Sequence, residues 1–254
     1  IDNSGSMMPY QSLLGANMGD FMTVFLSYSP DFQMAFITTD NPDFVGAPID
    51  RRTVMPIDEA VTTINSIGIG GSGWEKGLEM LEDCMIFGDC DGWMRPGAKL
   101  IAIFLSDEPD HSNRTPISFI NSFDSLKPGA FLPFAIIGDP PQGCPGASGW
   151  NTQAGWGYYD VVQHYASQWF SICDEDWGTQ LESLAQTISV RTIFEISSSD
   201  PHIDTVRVWI NGQLVGSGWT FDEITNAVVF NHEDAPEPGD TIEIGYSSWG
   251  CGEE

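Results

Sequence analysis

No apolar run in this sequence approaches the ~18 residues that a membrane-crossing helix needs. Positive charge is also scarce: nine Lys and Arg stand against 36 Asp and Glu in 254 residues, a net charge of −27. The first absence leaves no candidate membrane span in the chain. The second sets it against nucleic-acid phosphates and anionic lipid and draws cations toward it. Because the acids are scattered, they read as a solubility device for a salty or calcium-rich medium. Catalytic signatures are missing as well. No G-x-S-x-G elbow, phosphate-binding P-loop, G-x-G-x-x-G after a strand or H-E-x-x-H helix occurs, so nucleophilic catalysis and nucleotide chemistry have no visible constellation. Five cysteines are present, none in a C-x-x-C unit. That speaks against zinc ribbons and thioredoxin-like redox chemistry, and leaves either disulfides in an oxidising compartment or buried free thiols. The first residue is Ile1, and the chain reads as a fragment whose export signal is expected upstream.

What is present is regular alternation. Residues 8–28 carry Leu13, Leu14, Met18, Phe21, Met22 and Phe25 at three- and four-residue spacing up to Ser29-Pro30, which predicts an amphipathic helix. The run FQMAFITTD at 32–40, closed by Asn41-Pro42, predicts a buried strand. Helices are expected over 57–67 and 74–86, a strand over 99–107, a helix over 115–127 and a strand over 130–139. After a Gly/Pro-rich loop at 139–157 come a helix-like YYDVVQHYASQ, a short WFSIC segment and a closing helix over 176–188. Continuous apolar strands alternating with amphipathic helices predict an α/β fold with a doubly wound, mostly parallel sheet, whose sites form at the carboxyl ends of the strands. This domain is expected to cover 1–190, ending near Val190. From Arg191 the period changes to two, with Asn-Gly, Pro and Gly-Asp turns and no helix signal, so 191–254 reads as a small antiparallel β-domain.

The opening IDNSGSM places Asp2, Ser4 and Ser6 as D-x-S-x-S immediately before a helix. Hard cations take oxygen ligands, and two hydroxyls with a carboxylate make a suitable but incomplete shell. The same residues would also make a helix N-cap. Asp107 ends the strongest apolar strand, in FLSDE, and Ser72 lies in GGSGWEKGL just ahead of a helix, so three separate loops can bring oxygens to one sheet edge.

In residue type, order and spacing, DNSGSM, GGSGWEKGL and LSDE resemble the metal-ion-dependent adhesion site of von Willebrand factor A domains, over about residues 1–190. The resemblance implies one divalent cation held by Asp2, Ser4, Ser6, Ser72 and Asp107, with magnesium (Mg²⁺) expected before manganese (Mn²⁺) or calcium (Ca²⁺). Ser72 stands where the family usually has Thr, keeping the hydroxyl and losing the methyl that stiffens the rotamer. The family's first strand is reduced here to Ile1, leaving a central strand position empty unless upstream residues fill it. ITTD, LSDEPDHS and SICDEDW are similar to secreted bacterial members, which implies an extracellular, cell-surface or periplasmic protein. It also suggests a Cys144–Cys173 bridge, a local Cys84–Cys90 loop and an unpaired Cys251.

The function so implied is a cation-dependent protein-binding or adhesion module of the bacterial cell envelope or extracellular space, not an enzyme. Its ion would bridge to an Asp or Glu of a protein partner, and no nucleic acid is expected. The alternative is a metal-dependent hydrolase using Asp107, Glu108, Asp110 and His111 of the SDEPDHS turn. His164, His202 and His232 are scattered and read as surface or capping residues. Trp74, Trp93, Trp150 and Trp156, in or near loops, read as ordinary packing. Glu233, Asp234, Glu237 and Asp240 read as turn residues able in principle to bind Ca²⁺.

Overall fold

The computed structural model describes residues 1–28, 31–96, 98–146, 151–189, 193–197, 201–223, 225–231, 234–236 and 240–248. Ser29, Pro30, Trp150, Val190, Arg191, His232, Glu233, Glu237 and Cys251 lie outside the described residues. The chain divides into two compact units, Ile1–Ala185 and Gln186–Glu254.

In the first unit a turn of 3-10 helix, Gly5–Met7, runs into α1 (Met8–Ser27). Two short antiparallel strands follow, β1 (Gln33–Met34) and β2 (Ile49–Asp50). Next come α2 (Pro56–Ser66), α3 (Gly77–Phe87), β3 (Leu100–Ser106), α4 (Pro116–Leu126) and β4 (Phe131–Ile137). The antiparallel pair β5 (Cys144–Pro145) and β6 (Asn151–Thr152) precedes α5 (Tyr158–His164), β7 (Trp169–Ser171) and α6 (Trp177–Ser189). β3, β4 and β7 form a parallel sheet in that order, with Leu100 opposite Phe131 and Ser106 opposite Ile137. Their apolar runs leave no polar face, so the sheet must be flanked by helices. Phe104, Ala135 and Ile137 accordingly pack with Leu78 of α3, Phe119 and Phe123 of α4, and Tyr158, Val161 and Val162 of α5. α1 buries the stripe Leu14, Met18, Phe21, Met22 and Phe25.

Three expectations are corrected. The strand expected over 32–40 is laddered only at Gln33–Met34. Beyond it, Ile1 N donates to Ile37 O (2.9 Å) and Thr39 N to Ile1 O (3.2 Å), while Asp2 N donates to Leu105 O (2.9 Å) on the other side. Residues 37–39 thus lie one strand position from β3, with Ile1 and Asp2 between them. The helix expected to begin at Trp74 begins at Gly77. Its first amides are taken by side chains from α5 and from the loop after β3: Gly77 N by the Tyr158 hydroxyl (3.1 Å), Leu78 N by Asp110 (3.1 Å) and Glu79 N by Ser112 (3.1 Å). These satisfy orphan donors of the first turn and fix its start. The helix-like YYDVVQHYASQ stops at His164, with Ala166 at a φ of 49°.

The second unit holds β8 (Ile193–Glu195), β9 (Arg207–Ile210), β10 (Gln213–Val215), β11 (Trp219–Asp222), β12 (Ala227–Phe230) and β13 (Ile242–Gly245). They form two antiparallel sheets, β11-β12-β8 and β10-β9-β13. The β9–β10 hairpin turns on Asn211 and Gly212, at φ 51° and 76°, the left-handed pair that two-residue hairpins require. Phe194, Val206, Val208, Val228 and Phe230 make its core. Asp240 accepts from Asn211 Nδ2 (2.6 Å) and Asp234 from Asn231 Nδ2 (3.2 Å), so these two acids serve turns.

The cysteines form two disulfides, Cys84–Cys90 and Cys144–Cys173. The latter joins β5 to the residue two beyond β7 across a sequence separation of 29. On chain-entropy grounds such a bridge contributes about 3–4 kcal/mol by constraining the unfolded chain. Replacing both Cys144 and Cys173 by Ser should lower the melting temperature by roughly 6–16 °C, measured by scanning calorimetry without reductant; an unchanged transition would show that the bridge constrains nothing.

Candidate metal centre

Asp2 is the fixed point of this centre. Its amide donates to Leu105 O of β3, its carbonyl accepts from Gln11 Nε2 of α1 (2.9 Å), and the whole residue is buried. One carboxylate oxygen accepts from Ser4 N (2.8 Å), an Asx turn that folds the motif back over Asp2. The other accepts from the buried Ser106 hydroxyl (2.7 Å) at the end of β3. From there a row of oxygens runs outward. The Ser4 and Ser6 hydroxyls are 3.0 Å apart, and Ser6 Oγ donates to Asp107 Oδ1 (3.1 Å). Asp2, Ser4 and Asp107 are buried, whereas Ser6 is exposed, so the row has a closed floor and an open rim.

Ser72 stands apart from that row. Its loop is tied to the motif by Gly71 N donating to Asn3 O (2.8 Å), and a Cβ on Gly71 would meet the side-chain amide of Asn3, which would have to move aside. Ser72 N donates to Asp40 Oδ2 (3.0 Å), and its exposed hydroxyl accepts from Trp74 N (3.1 Å). The structure thus links Asp2, Ser4, Ser6 and Asp107 directly, and brings Ser72 alongside through its backbone.

Several contributors escaped the sequence reading. Glu75, fully buried, accepts from the Thr39 hydroxyl at Oε2 (2.6 Å) and has no hydrogen-bond donor at Oε1. Burial and the neighbouring Asp2 carboxylate push its carboxyl up to about 8. Burial and Asp2 likewise push Asp107 up to about 6, against the hydrogen bond from Ser6, and raise Glu108. Asp40 moves the other way: against its burial, hydrogen bonds from the Thr38 hydroxyl, Ser72 N and the Asn3 side chain hold it below the usual range. The only signal for Glu75 was an acid in the first turn of the helix expected over 74–86, which is ordinarily a solvated residue; nothing in the spacing marks it or Ser106 as buried.

The donor set fits a hard cation. Clustered carboxylate and hydroxyl oxygens, with carboxyls that raise one another, and one solvent-facing side are what Mg²⁺, Mn²⁺ or Ca²⁺ coordinate. Among the described residues no group of three or more His, Cys, Asp or Glu side chains forms a metal cluster, so hydroxyls are essential to this reading. His111 does not join the row. Its ring stacks on Trp74 (centroids 4.7 Å apart), its Nε2 is 3.8 Å from Glu108 Oε2, and its amide donates to Glu75 O. Asp110 caps α3, as above. Trp74 and Trp156 are 62% and 42% exposed, departing from the packing role expected of them, while Trp93 meets Phe44 edge to face.

Comparison with solved structures finds the chain similar to "von Willebrand factor type A from Catenulispora acidiphila", at 13% identity and a TM-score of 0.49. The alignment covers 98% of this chain and 57% of that one, so this chain spans little more than half its length. No family profile and no curated protein matches the sequence.

A carboxyl raised in the folded state contributes stability that is complete below its unfolded value and is lost as pH rises through its folded one. For Asp107 that window runs from 3.8 to about 6, and for Glu75 from 4.5 to about 8. In chelator the melting temperature should therefore fall between pH 5 and pH 9, by about 2–4 °C for each kcal/mol lost. Glu75→Gln, which cannot ionise, should flatten the fall above pH 6. A profile identical to that of the unsubstituted chain would count against the buried carboxyl.

Proposed function

We propose that the first unit is a von Willebrand factor A-type binding module, and that it works outside the cytoplasm, at the cell surface, in the extracellular space or in the periplasm. Its particular activity in this reading is cation-dependent adhesion to a protein. One divalent cation, Mg²⁺ first, is held by Asp2, Ser4, Ser6, Ser72 and Asp107, and an Asp or Glu of the partner takes the solvent-facing position. The row Ser4–Ser6–Asp107 standing on the buried Asp2 carboxylate carries this reading. The placement of the row at the carboxyl end of β3 supports it, since that is where α/β sheets bind ligands. The two disulfides, and the lack of a helix long and apolar enough to cross a membrane among the described residues, are consistent with the assigned compartment.

The chain's own residues divide the work. Gln11, Ser106 and the Ser4 amide hold Asp2 in place, and Ser6 orients Asp107. The bound cation supplies a Lewis-acidic site for an anionic oxygen. Asp2 and Asp107 offset its two charges locally, while the chain as a whole stays strongly negative. An acidic partner is therefore repelled everywhere except where the cation sits, which makes the interaction directional and reversible by chelation.

Calorimetric titration of Mg²⁺, Mn²⁺ and Ca²⁺ into chelator-stripped protein should give saturable one-site binding. Asp107→Ala should lose it, a reduction of at least about 100-fold, since one of two carboxylates is gone. Equal binding by the variant would reduce the five residues to loop and cap chemistry.

A further inference from the structure

Ser72 has its backbone, not its hydroxyl, fastened toward the centre, and the fastening is done by Asp40. This exposed acid follows Thr39 in the segment one strand position from β3. Its two carboxylate oxygens divide their work: Oδ1 accepts from the Thr38 hydroxyl (2.7 Å) and Oδ2 from Ser72 N (3.0 Å). Gly71 N, one residue before, donates to Asn3 O (2.8 Å). Asp40 thus ties the ITTD segment to the GGSG segment, which Gly71 ties in turn to the D-x-S-x-S motif. The tie matters because Ser72 lacks the methyl that would restrict its side chain, and because glycines on both sides, Gly71 and Gly73, leave the backbone free to wander.

We propose that Asp40 is a positioning residue for the cation centre, acting through Ser72: by holding the Ser72 amide it keeps the Ser72 hydroxyl within reach of the ion. This rests on the adhesion-site reading above. Asp40 itself ligates nothing in the proposal. It reduces the number of positions the GGSG loop can occupy, so that recruiting Ser72 does not require ordering the whole segment when the ion arrives.

The test is a double-substitution cycle on the full chain with Mg²⁺ as the probe. Asp40→Ala should weaken binding about 10- to 100-fold, the usual effect of removing a group that orients a metal ligand. Asp40→Asn should recover most of that loss, since its carbonyl oxygen still accepts from Ser72 N and its amide can donate to Thr38. In a Ser72→Ala background Asp40→Ala should cost nothing further. If Asp40 acted only as a negative charge, Ala and Asn would weaken binding equally and the loss would persist without the Ser72 hydroxyl; either result overturns the proposal. Hydrogen exchange of cation-free protein gives a readout independent of the ion: Asp40→Ala should speed exchange of the Ser72 amide about tenfold. Unchanged exchange also overturns it, whereas faster exchange with no cation binding by the unsubstituted chain would sink the adhesion-site reading instead.

Discussion

The structure of the first unit depends on burying one carboxylate, that of Asp2, at the end of β3. A buried anion is tolerable only when donors surround it, and Asp2 recruits them from the motif itself and from β3, in Ser4 N and Ser106 Oγ. Its backbone meanwhile joins β3 to Gln11 of α1, and the backbone of the adjoining Ile1 pairs with Ile37 and Thr39. Placing this charge correctly therefore requires the sheet edge, the first helix and the next loop to be in register together. The desolvation that makes the arrangement demanding also raises the carboxyls of Glu75 and Asp107.

Much of the architecture was legible because its signals are periodic. LIAIFLS and FLPFAII are uninterrupted apolar runs of strand formers, and α1 and α6 carry apolar residues at helical spacing, so each declares its environment residue by residue. The Asn211-Gly212 turn was equally plain, since few other pairs tolerate two consecutive left-handed residues. The segment 32–40 misled for a physical reason. Its composition specifies a buried strand, yet regular pairing depends on a neighbour along its length, and composition does not report that.

The cluster around Asp2 was legible only in part. That Asp2, Ser4, Ser6 and Asp107 meet could be expected, because short oxygen-bearing side chains at a strand end and a helix start converge at one sheet edge. Glu75, Ser106 and Asp40 could not be found, because their contacts run across 36, 104 and 32 residues of sequence and no local signal marks them. Glu75 reads as a solvated acid until Thr39 and Asp2 are seen around it, and Asp40 reads as the tail of a strand until Ser72 N is seen upon it. The start of α3 follows the same rule, with Tyr158, Asp110 and Ser112 setting a boundary that local propensity places three residues earlier.

The Ser72 hydroxyl, exposed and held by a single amide hydrogen bond, has a consequence for speed. Rotating an unbranched surface side chain takes picoseconds to nanoseconds, far faster than Mg²⁺ parts with its water, since that ion dehydrates reluctantly. On this rim the slow partner in loading would be the ion's own hydration shell. The lifetime of the loaded state would then differ between Mg²⁺ and Ca²⁺ even where their affinities match, so the ionic composition of the surroundings would govern how long a contact lasts as well as how often it forms.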